Sequence, residues 1–404
     1  MKLKFGIIGT GSRGIDCFGK LLAKREDCEI KGLFDPNPVR MQVAAETLNI
    51  PELTCYNNLE EMFGNEKLDA CVITSPDCFH ADNSIQAMQS GVNVLIDKPL
   101  ATNYEDCMRI IDAADKSGKL AMIGFNMRHN PVLKQVKSLI DDGYIGKIFM
   151  IENREFYSNG KTYMSRWNRH YEQSGGLWIH KGSHDFDIFN WLLDFPEPVV
   201  VSAFAGISVM RPAALPFKVE DGIPVGPDCF SCSYQESCPD VKIHGDKPQW
   251  GTKANEADGY RKDLCMYMSD KNVHDNGFAM IEYENGVRAC HMECFVTGLS
   301  DRRYTIIGNL GQLEVSIHKR TVTFRPRWNG ETVTYTIPQI EGGHGGADPG
   351  LVDCFINSIK NKKPVDSTLQ HGALSSIIGQ AAEISWREKR TVKIEDIKTA
   401  VKRY

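Results

Sequence analysis

The sequence predicts an α/β protein in two parts: an N-terminal doubly wound parallel sheet, then a C-terminal α/β domain whose sheet is open and largely antiparallel. Three observations predict it. Over residues 1–125 short apolar runs alternate with helix-period stretches, as in parallel strands joined by crossover helices. From 126 to 340 the runs are richer in aromatic and β-branched residues and are punctuated by turns such as Glu284-Asn285-Gly286, which favour hairpins. From 348 to 404 the chain reads as helical, opening at Asp348-Pro349, with Asp as the cap and Pro at the first helical position.

Taken in order, the first part offers strands at Phe5–Ile8, Ile30–Phe34, Ala70–Thr74, Val92–Ile96 and Leu120–Gly124, with helices over Ser84–Ser90 and Tyr104–Ser117. The second offers strands at Lys147–Tyr157, Val199–Val209, Gly277–Tyr283, Val287–Phe295, Arg303–Ile307, Gln312–Ile317 and Thr332–Ile337, and a helix over Ile179–Leu193. Residues 211–276 are polar and rich in Pro, Gly and Cys, and read as an insertion with little regular structure. The expected division is therefore 1–125 and 126–404, with the insertion inside the second unit.

Composition narrows the function. The 404 residues are 42% hydrophobic and 25% charged, which excludes a disordered chain or a collagen-like repeat. With 47 Lys+Arg against 52 Asp+Glu the net charge is −5, so no general attraction to nucleic acid or anionic membrane is expected. No apolar run approaches the ~18 residues of a membrane-spanning helix. Thirteen cysteines without an export signal suggest reduced thiols in a cytoplasmic protein.

Gly9-Thr10-Gly11-Ser12-Arg13-Gly14 follows the first strand. Glycines there allow backbone N–H groups to approach a pyrophosphate at a helix start. Asp35 ends the next strand, 21 residues after Gly14, where a Rossmann unit places the carboxylate that takes the adenosine 2′-hydroxyl. That carboxylate repels a 2′-phosphate, so NAD is favoured over NADP, although Arg40 lies close in sequence. Two further strands end in Thr74-Ser75-Pro76-Asp77-Cys78-Phe79-His80 and in Asp97-Lys98-Pro99, both at the carboxyl edge where α/β sheets bind ligands. A lysine there becomes a proton relay if burial lowers its pKa.

Together these motifs resemble the Gfo/Idh/MocA oxidoreductases, which include glucose–fructose oxidoreductase and inositol 2-dehydrogenase. The resemblance implies a Rossmann domain followed by an α/β domain whose open sheet mediates oligomerisation, here as a dimer or tetramer. It implies that Lys98 is catalytic and binds substrate, and that Thr74, Pro76, His80, Asp97 and Asn126 line the cofactor. The family's usual Glu-Lys-Pro is Asp97-Lys98-Pro99 in this chain.

A third segment, Gly175-Gly176-Leu177-Trp178-Ile179-His180-Lys181-Gly182-Ser183-His184-Asp185-Phe186-Asp187, sets His180, His184 and Asp187 on one face of the expected helix. That suits acid/base work, with Asp187 orienting His184. The family pattern has Asp where His180 stands. Just before it, Arg166, Trp167, Arg169 and His170, with Lys181 after it, are expected to line a substrate pocket, Trp167 stacking on a sugar face. Cys229, Cys232, Cys238 and Cys265 suggest a structural zinc site in the insertion. The glycine-rich Gly342–Ala347 run leads to Asp348, and His344 within it can reach the active site.

The expected activity is hydride transfer between NAD and a secondary hydroxyl of a sugar, glycoside or polyol, with Lys98 and His184 as base and relay and His180 assisting. The alternative is an NAD-dependent glycoside hydrolase that oxidises the sugar transiently, eliminates the aglycone, adds water and re-reduces. A third reading is an NAD-binding sensor without turnover.

Overall fold

The computed structural model describes residues 2–50, 53–241, 252–340 and 343–401. Six strands, β1 (Leu3–Ile8), β2 (Cys28–Phe34), β3 (Thr54–Tyr56), β4 (Ala70–Ile73), β5 (Asn93–Ile96) and β6 (Ala121–Ile123), form one sheet in the order β3-β2-β1-β4-β5-β6. All its pairs are parallel. Strand β4 is buried at every position, because helices cover both faces of a parallel sheet and leave no polar side. The helix Tyr104–Ser117 shows local encoding well: Asn103 accepts from the Asp106 amide at 2.8 Å, and Gly118 closes it in the left-handed region. Strand order reverses between β1 and β4, so the loops after them diverge and open a crevice.

A second, nine-stranded sheet runs β14-β13-β12-β11-β7-β10-β9-β8-β15. Its members are β7 (Ile148–Phe156), β8 (Pro198–Gly206), β9 (Asn276–Tyr283), β10 (Arg288–Cys294), β11 (Asp301–Gly308), β12 (Gly311–Ser316), β13 (Thr321–Pro326), β14 (Val333–Thr336) and β15 (Val392–Lys393). The β7–β10 pair is parallel and the other pairs are antiparallel. Alternation is clean in β9, where Ala279 and Ile281 face the core and Phe278 and Met280 face outward.

The C-terminal helices tie the two sheets together. Leu351, Val352, Phe355 and Ile356 of the helix Gly343–Asn361 sit in one core with Phe5, Ile7 and Phe18. The helix Leu369–Glu388 gives Leu369 and Ala373 to the core on the other face of the parallel sheet, and Ile377, Ile378, Ala381 and Ala382 to that of the nine-stranded sheet.

The structure departs from expectation in several places. β3, β13 and β15 are strands that short, polar or isolated runs did not signal. The single helix expected over Ile179–Leu193 is two, Leu177–His180 and Ser183–Leu192. The break falls at Gly182, where a Cβ would lie 2.6 Å from the Trp178 carbonyl oxygen. The helix expected to start at Asp348 begins at Gly343 and contains Pro349, but Gly345 and Gly346 have φ of +68° and +89°, so its right-handed run starts after them. Gly342 and the His344 side chain lie outside the described residues.

The described residues of the insertion carry more structure than expected. They include a helix, Thr252–Asp258, an Asp228–Leu264 bridge, and Met266 and Tyr267 buried in a small core with Met164 and Leu177. These contacts pack the insertion against the rest of the domain. Among the described residues no group of three or more His, Cys, Asp or Glu side chains could hold an ion, so the zinc expected at Cys229, Cys232, Cys238 and Cys265 is not supported. No disulfide joins the cysteines either.

Candidate active site

The crevice at the strand-order reversal meets the helices Leu177–His180 and Ser183–Leu192 in a cavity of 220 Å³. Arg13, Thr74, Asp97, Lys98 and Asn126 from the parallel-sheet edge line it, together with Tyr163, Trp167, His180, Lys181 and His184.

On the dinucleotide side, the glycine loop is built for close backbone approach. Gly9 has φ +92°, and a Cβ on it would lie 2.5 Å from the Ser75 amide nitrogen; one on Gly14 would lie 2.0 Å from the Gly9 carbonyl oxygen. Thr74 Oγ1 donates to that oxygen at 2.7 Å. Asp35, buried at the end of β2, accepts from the Thr10 amide at 2.9 Å and from Thr10 Oγ1 at 3.0 Å through one oxygen. Its other oxygen takes the Asn37 amide at 2.9 Å and Arg40 at 3.4 Å.

Arg13 reaches back from the loop, with Nε and Nη2 donating to the two Asp97 oxygens at 2.9 and 3.1 Å. Its Nη1 donates to Asp348 at 3.2 Å, and Asn126 Nδ2 donates to the same Asp348 oxygen at 2.7 Å. Buried Asn126 Oδ1 has no hydrogen-bond partner among the described residues. A glycine cradle with no room for side chains, a strand-end carboxylate and an unsatisfied amide oxygen fit a dinucleotide. His80 lines the cavity but is stapled between loops, with Nδ1 2.7 Å from Pro99 O and Nε2 3.0 Å from Ser75 O. Pro76 caps the short turn Asp77–Phe79.

Lys98 Nζ donates to the His180 carbonyl at 2.6 Å. Burial, the largest influence, pulls its pKa down to about 8 against the opposing pull of Asp77 and Asp97. His180 Nδ1 lies 2.6 Å from Asp77 Oδ2, and its Nε2 2.7 Å from Asn168 Nδ2. If the amide donates to Nε2, the ring proton sits on Nδ1 and is given to Asp77. Burial, then the charges of Lys98 and Lys181, hold the imidazole well below its ordinary pKa. Burial raises Asp77 to about 7. Trp167 and Tyr163 stand edge-on to the His180 ring at 5.3 and 5.7 Å.

Several expected roles change. Both oxygens of Asp187 are taken by buried Arg128, at 2.9 and 2.5 Å, so this carboxylate anchors Arg128 and is not aimed at His184. Arg169 and His170 turn to Asp270, at 2.9 to its carbonyl and 3.5 Å to its carboxylate. Together with Arg166 they do not line the cavity. Lys181 lines it, but its ammonium is paired with Glu155 at 2.9 Å, inside a buried network with Arg302 and Asp185. The site also holds Asp77, Asn168 and Asp348, none of them predicted. Asp77 stood in the motif with His80, and its spacing gave no sign that its partner lies 103 residues away.

Residues 3–125 match the oxidoreductase family's NAD-binding Rossmann fold, and residues 137–394 its C-terminal alpha/beta domain. The chain belongs to the Gfo/Idh/MocA oxidoreductase family. It is 27% identical to YteT of Bacillus subtilis (strain 168), a protein named as an oxidoreductase, over 96% of this chain and 97% of that one. Inositol 2-dehydrogenase of Salmonella typhimurium is 30% identical over 48% of this chain and 55% of its own length. Levoglucosan dehydrogenase in complex with NADH and levoglucosan superposes with a TM-score of 0.75 at 16% identity, covering 98% of this chain and all of that one; at this identity the likeness speaks for the fold. The protein is thus an oxidoreductase with an NAD-binding fold.

Proposed function

We propose that this family member transfers hydride between NAD and a secondary hydroxyl of a small sugar or polyol. The observation that carries the reading is the convergence of Lys98, His180 and His184 on one small cavity walled by the glycine-loop side of the crevice. In this reading residues 1–125 bind NAD and 126–404 supply substrate contacts. Gly9 to Gly14 and Asp35 hold the pyrophosphate and adenosine, with Thr74, Asp97 and Asn126 nearer the reactive end. Bound NAD supplies a two-electron hydride acceptor.

The chain must then hold the hydroxyl and take its proton. Lys98, with a pKa near 8, exchanges protons close to neutrality and pairs with His184 as acceptor of the hydroxyl proton. His180 fixes Lys98 through its carbonyl and is itself oriented by Asp77. Trp167 offers a flat face to a sugar ring. A cavity of 220 Å³ favours one monosaccharide unit over a polymer. The outer face of the nine-stranded sheet exposes Met150, Phe204, Phe278 and Met280, which supports a homo-oligomer formed through it. No helix among the described residues is long and apolar enough to cross a membrane, and a cytoplasmic setting is part of this reading.

The test is a panel of sugars, polyols and aryl glycosides incubated with NAD, following NADH and aglycone together. Net NADH formation is the expected result. Aglycone release with no net NADH would replace this reading by the redox-cycling glycosidase, and nucleotide binding with no turnover on any substrate would replace it by the sensor.

A further inference from the structure

The insertion helix Thr252–Asp258 does not stay with the nine-stranded sheet. It lies against the end of β2, where the adenosine ribose is expected. Asp258 Oδ2 accepts from Asn37 Nδ2 and from Arg40 Nη2, each at 2.7 Å, and Asn37 Nδ2 also donates to the Ala254 carbonyl at 2.7 Å. Tyr260, two residues on, places its ring 5.7 Å from the Arg40 guanidinium. Arg40 therefore stands between two carboxylates. Its contact with Asp35 is long, 3.4 Å, and its contact with Asp258 is short.

Arg40 is the guanidinium that a 2′-phosphate would need at this position, since such a group is the usual partner of that phosphate beside a Rossmann strand end. With Asp258 in place it is drawn toward the insertion, its side chain only 12% exposed. One arginine between two carboxylates leaves a net charge of −1 facing the ribose, which opposes a phosphate dianion and accepts a hydroxyl donor. We infer that Asp258, supplied by the insertion, is a specificity-determining residue: by anchoring Arg40 away from the ribose it excludes the 2′-phosphate and makes the enzyme select NAD over NADP. The inference rests on the dinucleotide reading of the crevice and adds a residue that the Rossmann segment itself does not contain.

The experiment measures dissociation constants of NADH and NADPH by quenching of tryptophan fluorescence, in the full-length protein and without turnover. Wild type is expected to bind NADH more tightly. In Asp258→Ala the ratio of the NADPH to the NADH constant should fall about tenfold, as expected for removing one nearby charge at partial burial. The fall should come mainly from tighter NADPH binding. Asp258→Asn, which keeps the shape and an acceptor oxygen, should show a smaller fall in the same direction. Adding Arg40→Ala to Asp258→Ala should restore the wild-type ratio. A ratio unchanged in both single variants, or two constants that rise together, would overturn the inference and leave Asp258 as a structural contact. Wild type preferring NADPH would also overturn it, while leaving the oxidoreductase reading intact. Wild type binding neither nucleotide would overturn that reading, and this inference with it.

Discussion

Replacing Asp77 by Asn separates two effects that the structure places on one carboxylate. The side chain is buried, and its Oδ2 lies 2.6 Å from His180 Nδ1. Asn keeps the volume and an acceptor oxygen but loses the charge. Above pH 7, where this carboxylate is ionised, a hydrogen bond to a charged group contributes roughly 1.5–3 kcal/mol, so losing that component should lower kcat about 10- to 150-fold at pH 8. Nucleotide binding should change little, because Asp77 is not part of the glycine loop. Stability should move the other way. Burial raises the Asp77 pKa from 3.8 to about 7, so the folded state favours the neutral acid. The stabilisation that goes with its proton is fully present below the unfolded value and is lost as pH rises through 7. A non-titrating Asn does not lose it. The ceiling on the difference is about 4 kcal/mol above pH 7, and about 1–2 kcal/mol is expected, since Asn must still satisfy His180. Urea denaturation of both proteins at pH 5 and pH 8, with kcat measured on the substrate found by the panel, checks both effects. A kcat within threefold of wild type, or a variant less stable than wild type at pH 8, would refute the reasoning.

Other consequences are open to direct measurement. With Lys98 near 8, the oxidation rate should climb as pH rises from 7 to 9 while the neutral amine gains population; Lys98→Arg should flatten that climb and lower kcat/KM by about 10²–10⁴, read from pH–rate profiles. Asp187→Ala leaves Arg128 buried without its carboxylate and should destabilise the fold by roughly 3–5 kcal/mol in urea melts, with the shape of the pH–rate profile retained. Glu383 is buried, and that burial raises its pKa from 4.5 to about 7, so the stabilisation that goes with its proton is fully present below 4.5 and is lost as pH rises through 7. Glu383→Gln should therefore be more stable than wild type by about 1–3 kcal/mol at pH 8, with the difference vanishing below the ordinary glutamate pKa of 4.5, as thermal melts at pH 8 and at about pH 4 would show.

What could be read from the sequence was whatever has a short-range signature. The strand β4, the helix Tyr104–Ser117 and the glycine loop each declare themselves within about a dozen residues, through burial on both faces, a cap at each end, or a spacing. The positions of Lys98 and His184 in one cavity were legible because each sits at the end of such an element. What was missed is long-range. Asp77 finds His180, Asn126 finds Asp348 222 residues away, and Asp187 turns to Arg128. In each case a residue with an adequate local reading, as turn former, helix cap or partner of a neighbouring histidine, was claimed by a group that only the tertiary fold brings near. The insertion shows the same limit: its cysteines suggested a staple, whereas Met266 and Tyr267 supply an apolar one.

The helix Gly343–Asn361 comes from the far end of the chain, yet its Phe355 ring packs edge-on against Phe5 of the first strand, with centroids 6.4 Å apart. Excising residues 1–125 as a stand-alone nucleotide binder would strip Phe5, Ile7 and Phe18 of that cover and leave an oily wall facing water. The dinucleotide half is thus finished by a helix that follows strands β7 to β14 of the nine-stranded sheet in the chain. Ligand held at one sheet should accordingly delay melting of the other, so that the whole protein comes apart in a single step.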